Sequence, residues 1–211
     1  MPDPIAGRGE LLIATGSSHK LKELSAMLDL PHTRVLSMRD VGLNDTAEET
    51  GETFEENAVI KALHYARLSG MPTLADDSGI EVDAMDGRPG VRTRRYAGPD
   101  ATDEDNNNKL LGELASLGAT APDQRTGRYQ CVLVLVENGE VVETTYGRFE
   151  GRVALESRGD GGFGYDPIFE PDSEPAGGRT VGELTLQEKN EVSHRAQAAR
   201  AMREKLLARG Y

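Results

Sequence analysis

The chain has one cysteine, Cys131, in 211 residues. A single thiol excludes an intramolecular disulfide framework, and its place in an apolar run reads as a buried core side chain rather than a nucleophile. That usage fits a reducing cytosol. No stretch reaches the roughly 18 apolar residues of a membrane span, and the N-terminus has no signal-peptide hydrophobic core, so a cytoplasmic protein without membrane contact is expected. Positive charge is short too: 24 Lys and Arg stand against 36 Asp and Glu, a net charge of −12. That balance opposes nonspecific binding to a nucleic-acid backbone or an anionic membrane, so any nucleotide ligand is expected to be free rather than polymeric. Internal repeats, low-complexity tracts and a clear interdomain linker are also missing. What remains is a globular composition, 37 % hydrophobic and 28 % charged, long enough to bury a core in one domain or two closely packed lobes.

The most informative stretch runs over residues 48–79, EETGETFEENAVIKALHYARLSGMPTLADDSG. Thr53 and Glu56 form a Thr-x-x-Glu capping box, so a helix starts at Phe54. Phe54, Ala58, Ala62, Tyr65 and Ala66 recur at helical spacing, and Gly70 and Pro72 place the end near Ser69. Thr73-Leu74-Ala75 then reads as a short buried strand that breaks into Asp76-Asp77-Ser78-Gly79. Strand alternation sends Asp76 and Asp77 to opposite faces, so one site uses only one of them directly. Oxygen-rich ligand sets suit Mg²⁺, which takes one or two protein carboxylates and completes its shell with water and substrate phosphates. Glu48 or Glu49 is available as the second carboxylate. The competing reading is a solvated acidic surface beside a capped turn. Lys61 shares a face with Asn57 and Tyr65, and either reaches such a site or pairs with Glu55 or Glu56.

Before that helix, residues 10–15 (ELLIAT) form an apolar strand, a Gly16-Ser17-Ser18 turn follows, and Leu21, Leu24, Met27 and Leu28 line one side of a helix. Strand, Gly/Ser turn and helix is a phosphate-cradle layout, with Lys20 and Lys22 adding positive charge to the first-turn amides. The turn matches neither the P-loop nor the dinucleotide fingerprint, so a plain connection is equally compatible with it. Residues 1–9 read as a flexible leader. Residues 33–37 and 79–85 are expected strands, Thr102 caps a helix over 103–117, and 128–136 with 141–149 flank the hairpin signal Asn138-Gly139.

In the C-terminal third, residues 159–167 (GDGGFGYDP) make a loop whose glycines allow unusual dihedrals or close approach to a ligand. Its aromatics, Phe163 and Tyr165, either stack a purine ring or plug the core beneath. Asp166, restricted by Pro167, caps a turn or accepts from a ligand hydroxyl. Residues 171–179 form an exposed loop, and Ser193 caps a last helix with His194 and Arg195 in its first turn. Those two either decorate the start of an exposed helix, where cations are unfavourable for the dipole, or use their donors on the O6 and N7 acceptors of a 6-oxo purine, although guanine shows the same two acceptors. Lys20, Lys189 and Arg195, far apart in sequence, are each surface charges when taken alone. Element order gives an α/β layout with a mixed sheet.

Taken together, TGSSHK (15–20), EETGETFEENAVIKA, ADDSGIEVDA, PGVRTRRYAG, GFGYDPIF and SHRAQA resemble, in matching order from Leu11 onward, the inosine/xanthosine triphosphate pyrophosphatase family. The resemblance implies Mg²⁺-dependent hydrolysis of dITP, ITP and XTP to the monophosphate and pyrophosphate, cleansing the nucleotide pool. It implies an elongated mixed central sheet flanked by helices, a single domain over 10–211 made of two lobes with the active cleft between them, and a homodimer. By position, Thr15, Gly16, Ser17, Ser18, His19 and Lys20 hold phosphates, Asp77 is catalytic base and metal ligand, and Glu49 or its neighbour Glu48 is the second metal carboxylate. Ser78 contacts substrate, and Phe163, Gly164, Tyr165, Asp166, Lys189, His194 and Arg195 complete the nucleotide pocket. Two departures stand out: Ser17 replaces the family's usual Asn, and Arg94 adds a cation where Ala is common. Two rival classes are a nucleotide-binding sensor without turnover and a phosphatase for pyrimidine or modified triphosphates.

Overall fold

The computed structural model describes residues 9–211. Residues 1–8, most of the expected leader, lie outside the described residues, whereas the Gly9 carbonyl already accepts from the Arg34 N–H at 2.9 Å. The strands are β1 (Glu10–Ala14), β2 (Arg34–Ser37), β3 (Thr73–Val82), β4 (Thr126–Glu137), β5 (Glu140–Val153) and β6 (Phe169–Pro171). The helices are α1 (Ser18–Leu28), α2 (Phe54–Ser69), α3 (Asp103–Ser116), α4 (Leu186–Val192) and α5 (His194–Ala208), with short 3₁₀ turns between them. The strands form one mixed sheet in the order β2-β1-β3-β4-β5-β6. β1 pairs in parallel with β2 and β3, and β5 pairs antiparallel with β6. This is the α/β architecture that the alternation of elements predicts.

The chain divides into two compact units, and β3, β4 and β5 each give residues to both. The first comprises residues up to Asp77, Cys131–Gly147 and Arg195–Tyr211. Its core gathers Leu11 and Ile13 of β1, Leu24 and Leu28 of α1, Leu74 of β3, Leu133 and Leu135 of β4, and Met202 and Leu206 of α5. β4 and β5 are joined by Asn138 and Gly139 at φ 52° and 82°, the left-handed pair that a two-residue hairpin turn requires. Cys131 is 1 % exposed, and burial pushes its thiol pKa up to about 12, as befits an inert core side chain.

α2 is built as its sequence dictates. Thr53 and Glu56 complete the capping box, and Gly70 ends the helix at φ 68°. Its buried side includes Asn57, whose Oδ1 accepts from Gly51 N–H at 2.8 Å, and Tyr65, whose hydroxyl donates to the Asp45 carbonyl at 2.9 Å and accepts from Ala47 N–H at 3.3 Å. The helix thereby pins the loop that carries Glu49. Gly51 is forced by contact: a Cβ there would lie 2.6 Å from the Glu56 Cβ and 2.9 Å from the Asn57 nitrogen.

The second unit comprises Ser78–Gln130 and Arg148–His194. Ile80, Val82, Leu110, Leu114, Tyr129, Phe149, Val153, Ile168 and Phe169 fill its core. Arg125, 3 % exposed, donates to the carbonyls of Ala119, Val153 and Ala154 at 2.6 to 2.7 Å, tying the start of β4 to the end of β5. Capping boxes start α3 (Thr102 with Asp105) and α4 (Thr185 with Glu188).

Two expectations need correction. The strands expected at 73–75 and 79–85 are one strand, β3, which runs unbroken through Asp76-Asp77-Ser78-Gly79 and ends at Val82. The acid pair does not break it, because Asp76 and Asp77 each meet a lysine. α4, a seven-residue helix, and β6, a three-residue strand, leave no signal in the sequence pattern. Both are too short for hydrophobic periodicity to register.

Candidate active site

In the first unit, β3, three helices and the loop before α2 bring together six charged side chains. Asp76 and Asp77 follow each other on a buried strand and meet different partners, as pleating requires. Asp76, 2 % exposed, takes the Lys20 ammonium at 2.8 Å, with the Arg195 guanidinium at 3.8 Å. Asp77, 7 % exposed, takes the Lys61 ammonium at 2.8 Å, and Lys61 also lies 3.5 Å from Glu49. Lys61 therefore sits between the two carboxylates proposed as metal ligands and does not pair with Glu55 or Glu56. Of the two neighbours left open by the sequence, it is Glu49 whose carboxylate reaches this cluster, while Glu48 is exposed.

The environments drive the two aspartates apart. Burial works against the Asp76 carboxylate, yet Lys20, Arg195 and Lys61 outweigh it and draw its pKa down to about 2. For Asp77 burial wins over Lys61 and Lys20, Glu49 adds repulsion, and the pKa rises above the ordinary carboxylate value. Burial also works against the Lys61 ammonium, but Asp77, Asp76 and Glu49 hold its pKa above the usual lysine value. The two upward shifts are compatible, since Lys61 faces three anions whereas Asp77 has one close cation.

The 15–20 segment carries the turn into α1. Ser17 is its N-cap, the hydroxyl accepting from Lys20 N–H at 3.4 Å, and Ser17 N–H donates to the Thr15 hydroxyl at 3.3 Å. Ser18 and His19 are the first residues of the helix. Arg195 is 2 % exposed and donates to Glu23 at 2.8 Å, so in this unit it is a buried cation held between Glu23 and Asp76. Nothing in the sequence pattern singled out Glu23, which sits among the apolar residues of α1; burial of a charge is the signal that marks it.

Two carboxylates make a partial ligand set. Among the described residues no group of three His, Cys, Asp or Glu side chains could cage a metal ion. The pair nonetheless fits Mg²⁺, which supplements one or two carboxylates with water and phosphate oxygens. The Asp77 Oδ2 is buried with no hydrogen-bond partner, a vacant acceptor where a hard cation is expected to bind.

In the second unit the 159–167 loop meets α4. Asp166, 4 % exposed, accepts from Phe163 N–H at 2.9 Å and from the Lys189 ammonium at 2.8 Å. It crosses so close beneath Gly162 that a Cβ there would lie 2.1 Å from its Oδ2, which fixes glycine at that position. The Lys189 ammonium also stands 4.4 Å from the centre of the half-buried Phe163 ring. The two aromatics part ways: Tyr165, 3 % exposed, packs in the core with its hydroxyl donating to the Thr93 carbonyl at 2.8 Å, whereas Phe163 is half-buried beside the Lys189 ammonium. His194, 5 % exposed, stacks on Tyr129 with centroids 4.7 Å apart and planes at 5°. Tyr129, which also reaches Asp166 at 3.4 Å, was not visible as a site residue because one aromatic in a strand looks like core. Ser78 opens the second unit, half-buried in β3.

No described helix is long and apolar enough to cross a membrane. The chain is 44 % identical over 203 residues to a dITP/XTP pyrophosphatase of Thioalkalivibrio sulfidiphilus, covering 95 % of this chain and 100 % of the relative. It is 43 % identical over 199 residues to the dITP/XTP pyrophosphatase of Shigella flexneri, covering 93 % and 98 %. Its fold superimposes on the solved structure of a HAM1 protein from Coxiella burnetii with a TM-score of 0.84 at 40 % identity, covering 95 % and 99 % of the two chains. Residues 11–205 match the sequence model of the Ham1 family, and the chain belongs to that family.

Proposed function

We propose that this chain is a Mg²⁺-dependent nucleoside triphosphate pyrophosphatase that hydrolyses non-standard purine substrates, dITP, ITP and XTP, to the monophosphate and pyrophosphate. Relatives that match it over almost their whole length carry the name dITP/XTP pyrophosphatase. The observation that carries the reading is Asp77, a buried carboxylate with a raised pKa, one oxygen on Lys61 and the other without a partner. A base poised closer to neutrality than an ordinary aspartate suits removal of a proton from the attacking water. Bound at Glu49 and Asp77, Mg²⁺ would neutralise charge on the triphosphate. Lys20, held by Asp76, and the amides and hydroxyls of Thr15, Gly16, Ser17, Ser18 and His19 receive phosphate oxygens. Lys61 stays beside the reacting phosphate as a second cation, and Ser78 contacts substrate.

For the base, Phe163 offers a stacking face, and Lys189 and His194 offer donors to the acceptors of a 6-oxo purine. Gly164, Tyr165 and Asp166 set the loop that presents Phe163. Arg195 serves from its buried place between Glu23 and Asp76. The lone buried thiol is consistent with a cytoplasmic setting, and the homodimer suggested by the sequence resemblance belongs to the same reading.

The test is pyrophosphate release from ITP, dITP, XTP, GTP and dTTP, with Mg²⁺ and with chelator. Turnover of the first three, little of dTTP, and loss with chelator are expected, while GTP measures how far the site separates guanine from the other 6-oxo purines. Equal turnover of dTTP, or undiminished turnover in chelator, would overturn it.

A further inference from the structure

α3 carries three consecutive asparagines, Asn106, Asn107 and Asn108, that no role described so far absorbs. Two of them lie on the buried stripe with Leu110 and Leu114 and are 2 % and 6 % exposed. Polar side chains in a helix's core-facing stripe call for a purpose beyond solubility. Asn106 has a structural one: it accepts from Ala97 N–H at 2.8 Å and donates to the Arg94 carbonyl at 3.1 Å, fastening α3 to the segment before it.

Asn107 reaches across 57 positions of sequence instead. Its Nδ2 donates to the Gly164 carbonyl at 3.1 Å. One turn earlier on the same face, the Asp103 carboxylate accepts from the Gly164 N–H at 2.6 Å. Both polar groups of a single residue, the one between Phe163 and Tyr165, are thus held by one helix. Gly164 sits at φ +63°, a conformation with little intrinsic preference to maintain itself in a loop. The helix is rigid where it grips: the Thr102 and Asp105 capping box fixes its first turn, and Leu110 and Leu114 are 0 % exposed. The Asn107 Oδ1 is buried without a hydrogen-bond partner, a cost that a purely stabilising residue would avoid.

We propose that Asp103 and Asn107 are positioning residues for base recognition: by holding both backbone polar groups of Gly164 they set the angle of the neighbouring Phe163 ring. This rests on the reading of Phe163 as the stacking face. Asp166 and Lys189 anchor the loop from the Phe163 N–H and the ring, and Tyr165 anchors it from the core. Asp103 and Asn107 supply the remaining constraint, between those two side chains. Their hydrogen bonds to the loop go to Gly164, so their loss is expected to weaken capture of a base-bearing substrate and leave the chemical step alone.

The experiment measures KM and kcat for ITP in Asp103→Ala, Asp103→Asn, Asn107→Ala and Phe163→Ala, with the inhibition constant of inorganic tripolyphosphate, which has no base, as the second readout. Losing one hydrogen bond to the loop corresponds to a KM rise of about three- to tenfold. That rise in both alanine variants, with kcat and tripolyphosphate inhibition close to wild type, and recovery in Asp103→Asn, which keeps an acceptor, supports the proposal. Asp103 is exposed, so its variants are expected to fold even if Asn107→Ala does not. Unchanged KM in Asp103→Ala while Phe163→Ala weakens ITP overturns the proposal and leaves the stacking reading standing. Parallel losses for ITP and tripolyphosphate also overturn it, because they mark general loosening. An unchanged KM in Phe163→Ala removes the stacking reading itself, and the proposal with it.

Discussion

Replacing Asp76 by Asn removes one charge from a side chain that is 2 % exposed while barely changing its shape. The carboxylate is held at a pKa of about 2 by Lys20, Arg195 and Lys61 against the cost of burial. In an unfolded chain it titrates near 3.9, and a gap of nearly two units is worth about 2 to 3 kcal/mol of folding stability. Because the folded value is the lower one, that contribution is complete above the unfolded pKa and is lost as pH falls through the folded pKa. By pH 3 about half should have gone. The substitution also takes one of the two carboxylates from Arg195, which keeps Glu23, and the nearest carboxylate from Lys20. Asp76→Asn is therefore expected to lose about 2 kcal/mol or somewhat more at pH 6. Urea unfolding of both proteins at pH 6, 4 and 3 measures the difference, which should shrink as the wild-type carboxylate protonates. A difference that is absent, or constant over that range, would refute the electrostatic account.

Asp77→Asn should abolish pyrophosphate release while nucleotide binding stays measurable by calorimetry; near-normal turnover would remove Asp77 from its role as base. The same substitution is not expected to cost the fold what Asp76→Asn does, because a carboxylate with a raised pKa loses stabilisation as pH climbs above its unfolded value. Unfolding midpoints at pH 7 compare the two directly. Gly51→Ala places a methyl against the Glu56 Cβ and the Asn57 nitrogen, and should cost about 1 to 3 kcal/mol while shifting the loop that carries Glu49. Thermal unfolding and Mg²⁺ titration of activity are the two readouts, and an unchanged Mg²⁺ requirement would detach Glu49 from the metal.

The parts legible from sequence were those with local chemistry. The Thr53 and Glu56 box, Gly70 and the Asn138-Gly139 turn each encode a backbone event within four residues, and each occurs where it was read. The break expected at Asp76 failed because it rested on charge alone: the lysines that let the strand continue come from α1 and α2, 56 and 16 positions away. Glu23, Asn107 and Tyr129 escaped for the same reason. Each looks ordinary in its own element and gains meaning only from a partner elsewhere: Arg195 for Glu23, Gly164 for Asn107, His194 for Tyr129.

Adjacent aspartates with opposite shifts explain why the pair exists at all. In the proposed mechanism a lone acid on β3 would have to fix the nearby cations and accept a proton, and these need opposite environments: a low pKa keeps an anion permanently charged, a raised one makes it a usable base. Alternation along a strand solves this in two residues, since consecutive side chains meet different neighbours. Asp76 meets Lys20 and Arg195 and stays ionised, so the Lys20 ammonium is held in place by a permanent anion. Asp77 meets only Lys61 closely, is raised by burial, and keeps one oxygen unsatisfied. Exchanging the two environments would leave a base too weak to take a proton and a lysine with an intermittent partner. Burial raises both carboxylates alike, so the different cations beside each are what separate their pKa values.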